Sequence, residues 1–137
     1  MLASVLDETV ADIDAAVQTL VARGNKVAVM GFCWGGGLAL RAAQKLDIAA
    51  AVSFYGTRLT QYLDGPLKAP FQGHFGTKDD HIPAEMLAAV KAYLPAVEVH
   101  MYKAGHAFAN DARPSFVTDA AALAHRRAQA FLAKNLT

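Results

Sequence analysis

Apolar positions in the first 22 residues recur at three- and four-residue steps, which is typical of one face of an amphipathic helix. Acidic residues occupy the other face. Gly24-Asn25 ends the helix, since glycine is common just after a helix C-terminus. The predicted apolar face consists of Leu2, Val5, Leu6, Val10, Ile13, Val17, Leu20 and Val21.

After this helix, apolar runs alternate with helical patterns. The predicted strands span residues 26–32, 48–55, 71–76 and 97–102. The first is continuously apolar, which indicates a strand buried on both faces, and the second is also buried in character. The fourth alternates and is expected to be a half-exposed edge strand with His100 facing outward. The predicted helices between and after them span residues 35–46, 84–94 and 116–136. This order predicts an α/β fold, a parallel sheet of about four strands flanked by helices, with residues 1–137 in a single domain.

The stretch from residue 26 to residue 40 carries the strongest chemical signal. A predicted strand runs into Gly31-Phe32-Cys33-Trp34-Gly35 and then directly into a helix rich in small residues. A nucleophile at such a corner, with glycines two residues to either side, is typical of a nucleophile elbow, in which side chains at Gly31 or Gly35 would crowd the strand against the helix. The helix N-terminus is expected to favour the Cys33 thiolate, and the Trp34 backbone N–H is placed to donate to an oxyanion. The alternative is a small buried cysteine at a tight turn.

Composition narrows the classes of protein. With 54% hydrophobic and 18% charged residues among 137, the chain is not intrinsically disordered. A net charge of +1 provides no electrostatic surface for nucleic acid or an anionic membrane, and no apolar run reaches the roughly 20 residues of a membrane helix. The sequence shows no signal peptide, and its one cysteine cannot form an intrachain disulfide, so we expect a soluble, cytoplasmic protein.

Two further candidate groups follow later strands. Asp79 lies past the third strand and His106 past the fourth, so they are expected on the same rim as Cys33, because functional groups gather at the carboxyl ends of parallel strands. The order nucleophile, acid, histidine is that of an α/β-hydrolase. Histidine would take the thiol proton and the carboxylate would orient the imidazole. Asp79 is preferred to Asp80, which is interpreted as a turn residue.

The other histidines are assigned no chemistry. His74 is interpreted as a core histidine within the third strand, and His81 as a solvated loop residue that could alternatively contact substrate. His125 lies on the last helix. No pair of histidines has a convincing metal-binding spacing, and a lone cysteine argues against structural zinc, so no metal is expected.

Together these motifs resemble the dienelactone hydrolase family, the cysteine-dependent α/β-hydrolases also called carboxymethylenebutenolidases. The similar segments are residues 31–37, 54–56, 76–83, 105–110 and 113–115, and the resemblance extends over essentially the whole chain. It implies that Cys33 is the nucleophile, Asp79 the acid and His106 the base, and that a small ester or lactone is hydrolysed through an acyl-cysteine without metal or cofactor. Arg58, Tyr55 and Phe108 are candidate substrate-binding residues.

The resemblance covers only the C-terminal half of the family fold. The family's N-terminal half would supply strands beside the first strand, a second oxyanion N–H, and a glutamate and an arginine near the thiol. Asn110 also stands where lactone-cleaving members have an arginine, a charge that Arg58 or Arg113 is a candidate to replace. We therefore expect the edge at residues 26–32 to pair with a second copy or with an N-terminal partner chain, or else to limit solubility.

Two other functions are compatible with the sequence. The chain is alternatively a non-catalytic remnant or interaction subunit that keeps the fold without a complete oxyanion hole. A weaker possibility is a redox-sensing thiol at Cys33, because an activated cysteine is readily oxidised.

Overall fold

Four parallel strands form one sheet in the order in which they occur along the chain. A computed structural model describes residues 2–137, with side chains from residue 5 onwards, so the Leu2 side chain of the predicted apolar face lies outside the described part. The strands are β1 (Ala28–Phe32), β2 (Ala50–Phe54), β3 (Phe71–Gly76) and β4 (Glu98–Tyr102). Each neighbouring pair is parallel, and the order β1-β2-β3-β4 leaves β1 and β4 at the edges. The predicted α/β class and the edge position of the fourth strand are confirmed.

The helices connect the strands as predicted, with small shifts of their bounds. They are α1 (Leu2–Ala22), α2 (Trp34–Lys45), α3 (Ala84–Tyr93) and α4 (Thr118–Leu136), with one 3-10 turn at Leu59–Tyr62 between β2 and β3. The last helix begins two residues later than predicted. Within residues 2–137, none of the helices combines the length and the apolarity needed to cross a membrane.

The core lies on both sides of the two central strands, whose residues are buried throughout. The small residues of α2 pack on β1 and β2, and α1 packs on α2. Helix α4 lies across β2 and β3 and approaches them through alanines, and its His125 ring is 5.0 Å from the ring of Phe54. Because β2 and β3 are buried on both faces, packing holds the ends of these strands, where the following loops begin, in place.

Strand β1 departs from its prediction. Met30 and Phe32 are 46% and 40% exposed, although their continuous apolar run predicted burial on both faces. Phe32 stacks on Phe54 at 4.8 Å between ring centroids, on the same face of the sheet that α4 covers further along. Among residues 2–137, no element extends over β1 on that side, so its apolar side chains remain open.

Two other expectations about exposure are wrong. On α1, Val5, Leu20 and Val21 are exposed, because only part of the predicted apolar face meets α2. On β4, His100 is less exposed than expected, since its side chain is 26% exposed and its ring stacks on that of His74 at 5.5 Å. On this face of β4, Arg127 of α4 donates a hydrogen bond to the Tyr102 hydroxyl.

Candidate active site

The chain turns from strand to helix within one residue at Cys33. Strand β1 ends at Phe32, α2 begins at Trp34, and Cys33 between them has φ 55° and ψ −121°. A positive φ is costly for a residue with a side chain and is found mainly where the surrounding structure enforces it. The backbone therefore has the strained corner expected of a nucleophile elbow.

Glycines allow this corner, although not all those that the sequence suggested. A Cβ on Gly31 would lie 1.9 Å from the carbonyl oxygen of Gly35, which excludes a side chain at Gly31. Gly35 itself has open space around it, so the expectation of crowding there is wrong. The second close approach is at Gly36, where a Cβ would lie 2.6 Å from Ser53 Oγ. This approach seats the first turn of α2 directly on β2.

Backbone groups around Cys33 are positioned for an anion. The Cys33 carbonyl accepts hydrogen bonds from the N–H groups of Gly36 at 3.0 Å and Thr57 at 3.2 Å, which fixes the corner. The Trp34 N–H is at the first position of α2 and so has no acceptor within the helix. A free N–H directly after the corner residue is where a developing oxyanion would find a donor.

The Cys33 side chain is half-buried, and burial raises the pKa of its thiol. The Asp79 carboxylate raises this pKa further, and the Arg113 guanidinium opposes the shift. Desolvation is the largest of these effects, and it opposes the thiolate that the helix N-terminus is expected to favour. Cys33 needs a base before it can act as a nucleophile.

A histidine–carboxylate pair follows β3 and β4. His106 Nδ1 lies 2.7 Å from Asp79 Oδ2, and the Asp79 side chain is fully buried whereas that of His106 is 15% exposed. Asp80, the neighbour that the sequence left as an alternative, is exposed. A carboxylate on Nδ1 holds the proton there and leaves Nε2 free to accept another.

Backbone strain also surrounds His106. Ala107 has φ 62°, and Ser115 Oγ donates a 2.5 Å hydrogen bond to the His106 carbonyl. Four non-glycine residues within residues 2–137 have a positive φ. Three of them, Cys33, Tyr55 (φ 42°) and Ala107, lie at this rim, in the segments that follow β1, β2 and β4. The Ser115 hydrogen bond therefore helps to hold His106 in place.

Tyr55 lies close to both Cys33 and His106. Its ring is 5.3 Å from the His106 ring, and it shares with Cys33 the wall of an open cavity of about 260 Å³. In the part of the chain that the structure describes, no hydrogen bond joins the Cys33 thiol to His106. Burial raises the pKa of Tyr55 to about 12, so its phenol stays neutral near neutral pH. The cavity is lined by Phe32, Cys33, Tyr55, Ala109, Asn110 and Asp111.

The other predicted substrate contacts are distributed differently. Phe108 is fully buried, with its ring 5.4 Å from that of Tyr55, and offers no surface to a ligand. Arg58 is exposed and lines a separate cavity beside Trp34 and α1. Arg113 is the cation whose field reaches the Cys33 thiol.

Sequence reasoning missed the proximity of His81. Its backbone N–H donates to Asp79 Oδ1 at 2.8 Å, and its ring lies 4.3 Å from the His106 ring. The signal available in the sequence was the spacing Asp79-x-His81, which is typical of a turn closed by an aspartate side chain.

Comparisons with known proteins identify the family of the chain. The family model described as "Dienelactone hydrolase family" matches residues 1–136. The chain is 34% identical to carboxymethylenebutenolidase from Pseudomonas putida over 93% of its own length and 58% of the relative. It is also 32% identical to a "Putative carboxymethylenebutenolidase" from Saccharolobus solfataricus, over 92% of the chain and 51% of the relative.

Solved structures give the same result. The crystal structure of a "Putative Dienelactone Hydrolase" from Klebsiella pneumoniae subsp. pneumoniae matches with a TM-score of 0.86 and 26% identity, over 93% of this chain and 61% of that one. An esterase from Pyrococcus furiosus shares the fold, with a TM-score of 0.72, 16% identity and coverage of 96% of this chain and 63% of that one. The chain thus spans between half and two thirds of the length of these proteins.

Proposed function

The chain belongs to the dienelactone hydrolase family, and from this premise we propose that it carries the catalytic residues of a hydrolase that cleaves a small ester or lactone. Cys33 is the nucleophile, His106 the general base and Asp79 the carboxylate that orients it. The observation that carries the proposal is the 2.7 Å contact between His106 Nδ1 and a fully buried Asp79, at the same rim as the strained Cys33 corner.

The reaction begins with a proton transfer. His106 Nε2 takes the Cys33 proton as the sulfur attacks the substrate carbonyl, and the Trp34 N–H stabilises the resulting oxyanion. The protonated imidazole is stabilised by Asp79 and then gives its proton to the leaving alkoxide, which leaves an acyl thioester on Cys33. A water molecule deprotonated by His106 attacks the thioester and releases the carboxylic acid. The free thiol is thereby restored, and no metal or cofactor takes part.

Because burial raises the pKa of the Cys33 thiol, His106 has to take the thiol proton as the sulfur attacks the substrate. A thiol that stays protonated at rest avoids oxidation and becomes nucleophilic only when His106 can accept its proton. Because Tyr55 lines the cavity and contacts the His106 ring, substrate in this cavity would meet both the sulfur and a neutral phenol. Tyr55 and Arg113 are the residues that we infer to contact substrate. Arg58, the other arginine candidate, lines a separate cavity together with Trp34.

The matched pair Asp79→Asn and Asp80→Asn tests the proposal on hydrolysis of p-nitrophenyl acetate. We expect Asp79→Asn to lower kcat by about a thousandfold or more, because the amide no longer orients His106 in the correct tautomer. Asp80→Asn removes the neighbouring exposed charge and should leave kcat within about twofold. Equal activity in the two variants would contradict the assignment of Asp79.

We also infer that β1 is paired in the working protein. Cys33 N–H bonds to β2, so alternation directs the N–H and C=O groups of Ala28, Met30 and Phe32 to the open edge. Exposed apolar side chains beside such an edge are a template for another strand. The partner is a second copy of the chain or a segment corresponding to the remaining part of the family fold. Light scattering distinguishes them, since a Met30→Lys variant should dissociate a self-paired dimer, and a concentrated, fully soluble monomer would oppose both.

A non-catalytic interaction subunit is the second candidate function. The open β1 edge and the absence of a Cys33–His106 hydrogen bond in the described residues favour it. It predicts that no residue of the proposed triad affects hydrolysis, so the same pair of aspartate variants separates the two functions. We also propose the cytoplasm as the compartment, because a single free cysteine suits a reducing environment.

A further inference from the structure

His81 adds a third metal-binding group to the His106–Asp79 pair. His81 Nδ1 lies 3.5 Å from Asp79 Oδ1, while His106 Nδ1 lies 2.7 Å from Asp79 Oδ2. One donor atom from each of the three residues falls within 4.8 Å of the others. Two imidazoles and a carboxylate are thus gathered at one point of the rim.

These distances approach those around a zinc ion. Donors bound tetrahedrally at about 2.0 to 2.1 Å from Zn²⁺ lie roughly 3.3 Å apart. The His81–Asp79 separation is already close to this value, and the His81 side chain is 65% exposed and can rotate toward the carboxylate. The donor set also selects the cation, because imidazole nitrogen favours Zn²⁺ over Ca²⁺ or Mg²⁺.

We propose that Asp79, His81 and His106 form an inhibitory binding site for Zn²⁺. The inhibitory effect rests on the proposed hydrolase function. When zinc coordinates His106 Nδ1, the proton of the neutral imidazole moves to Nε2, and Asp79 turns one oxygen to the metal. Nε2 then carries a hydrogen and cannot accept the Cys33 proton, so the sulfur stays protonated. No electron transfer is involved, since each ligand donates a lone pair.

His81 makes this site separable from the catalytic groups. Its side chain is exposed, its hydrogen bond to Asp79 comes from the backbone N–H and is kept when the side chain is replaced by alanine, and the proposed reaction does not use its ring. His81→Ala should therefore keep hydrolysis while weakening zinc binding by at least about tenfold. His100→Ala is the matched control, because His100 Nε2 also contacts a carboxylate, that of Glu98, at 2.7 Å but on another part of the sheet.

The experiment measures zinc binding and hydrolysis separately on the whole chain. Calorimetric titration with ZnCl₂ should give one site in the wild type and in His100→Ala, and a loss of affinity in His81→Ala. Cys33→Ser should still bind zinc, which excludes the thiol as the main ligand. Hydrolysis of p-nitrophenyl acetate should fall at saturating zinc, recover with EDTA, and resist zinc in His81→Ala.

The outcomes are distinguishable. Equal zinc affinity in the wild type and His81→Ala, or loss of binding in Cys33→Ser alone, would overturn the zinc site. Zinc binding that depends on His81 but leaves hydrolysis unchanged would overturn the inhibitory role. Absence of hydrolysis without zinc would contradict the proposed function, while the calorimetric arm would still decide whether the site exists.

Discussion

Two histidines in this protein, His106 and His74, differ in burial and in their hydrogen-bonding partners, with different consequences. His106 sits on a charged carboxylate, that of Asp79, and keeps part of its ring exposed at the rim. His74 is fully buried in β3, where Nδ1 lies 2.7 Å from the Tyr102 hydroxyl and Nε2 lies 2.8 Å from Gln72 Oε1. The first histidine has one nitrogen free for chemistry, and the second has none.

The His74 contacts form a chain with one consistent direction. Arg127 donates to the Tyr102 hydroxyl at 3.2 Å, so that hydroxyl is free to donate to His74 Nδ1. His74 Nε2 then donates to Gln72 Oε1, and the Gln72 amide nitrogen donates to Glu98. Burial, with the charges of His100 and Arg127 acting in the same direction, lowers the pKa of His74 to about 3. His74 is therefore a neutral structural residue, which the sequence predicted for it.

The hydrogen-bonding partner of each imidazole thus determines its role. A carboxylate stabilises the imidazolium and makes proton uptake possible, whereas a phenol and an amide compensate only the neutral ring. Substitutions at the two positions should therefore separate activity from stability.

The largest expected effect is on activity at His106. His106→Ala should lower kcat for p-nitrophenyl acetate by about a hundredfold to ten-thousandfold, because it removes the general base proposed to take the Cys33 proton. Circular dichroism should show an unchanged fold, since the His106 side chain is partly exposed. The comparison would be broken if His106→Ala kept wild-type kcat.

The next effect is on stability at His74. His74→Leu should lower the free energy of unfolding by about 2 to 4 kcal/mol, because it leaves the Tyr102 hydroxyl and the Gln72 carbonyl buried without their partner. Urea denaturation measures the loss. His100→Leu, on the neighbouring strand but partly exposed, serves as the control and should cost about 1 kcal/mol or less. Wild-type stability in His74→Leu would contradict the structural role.

The pH dependence of stability provides a smaller effect with a defined sign. His74 has a pKa of about 3 when folded and 6.5 as the ordinary value, so below pH 6.5 the unfolded chain binds a proton that the folded chain does not. Stability should therefore fall as pH falls, by about 2 kcal/mol between pH 6.5 and pH 5. The lowered pKa of Glu98 acts in the same direction only at lower pH. Urea denaturation at each pH should show a flatter profile in His74→Leu than in the wild type, and equal slopes would count against a neutral His74.

The smallest effect is expected at Tyr102. Tyr102→Phe removes the hydroxyl between His74 and Arg127 and keeps the ring, which packs 5.1 Å from that of Phe108. We expect a loss of about 1 kcal/mol in unfolding free energy and no change in kcat. A change in kcat would mean that the hydrogen bonds around His74 influence the active site. The roles of His74 in stability and of His106 in activity would then not be separate.

Much of this arrangement was readable from the sequence. The alternation of strands and helices along the chain predicted a parallel sheet. The carboxyl ends of parallel strands lie at one edge of the sheet, so Cys33, Asp79 and His106 could be assigned to one rim. The proximity of His81 to His106 could not be predicted, because it depends on how the loop after β3 folds back. The burial of Phe108 could not be predicted either, since Phe108 follows His106 in the same exposed-looking loop.

Strand β1 shows a different limit. Its apolar residues predicted burial, but burial depends on the elements that cover a strand, and no such element occurs beside Met30 and Phe32 among residues 2–137. The pKa of Cys33 shows another limit, because the helix N-terminus is visible in a sequence whereas the burial that raises this pKa is not.

The most direct test of the proposed mechanism is mass spectrometry of the chain after brief exposure to p-nitrophenyl acetate. We expect an acetyl group on Cys33 that forms quickly and disappears with time in the wild type. In His106→Ala we expect an adduct that forms far more slowly. Acetylation confined to lysines, or Cys33 labelling at the same rate in both proteins, would contradict the claim that His106 activates Cys33.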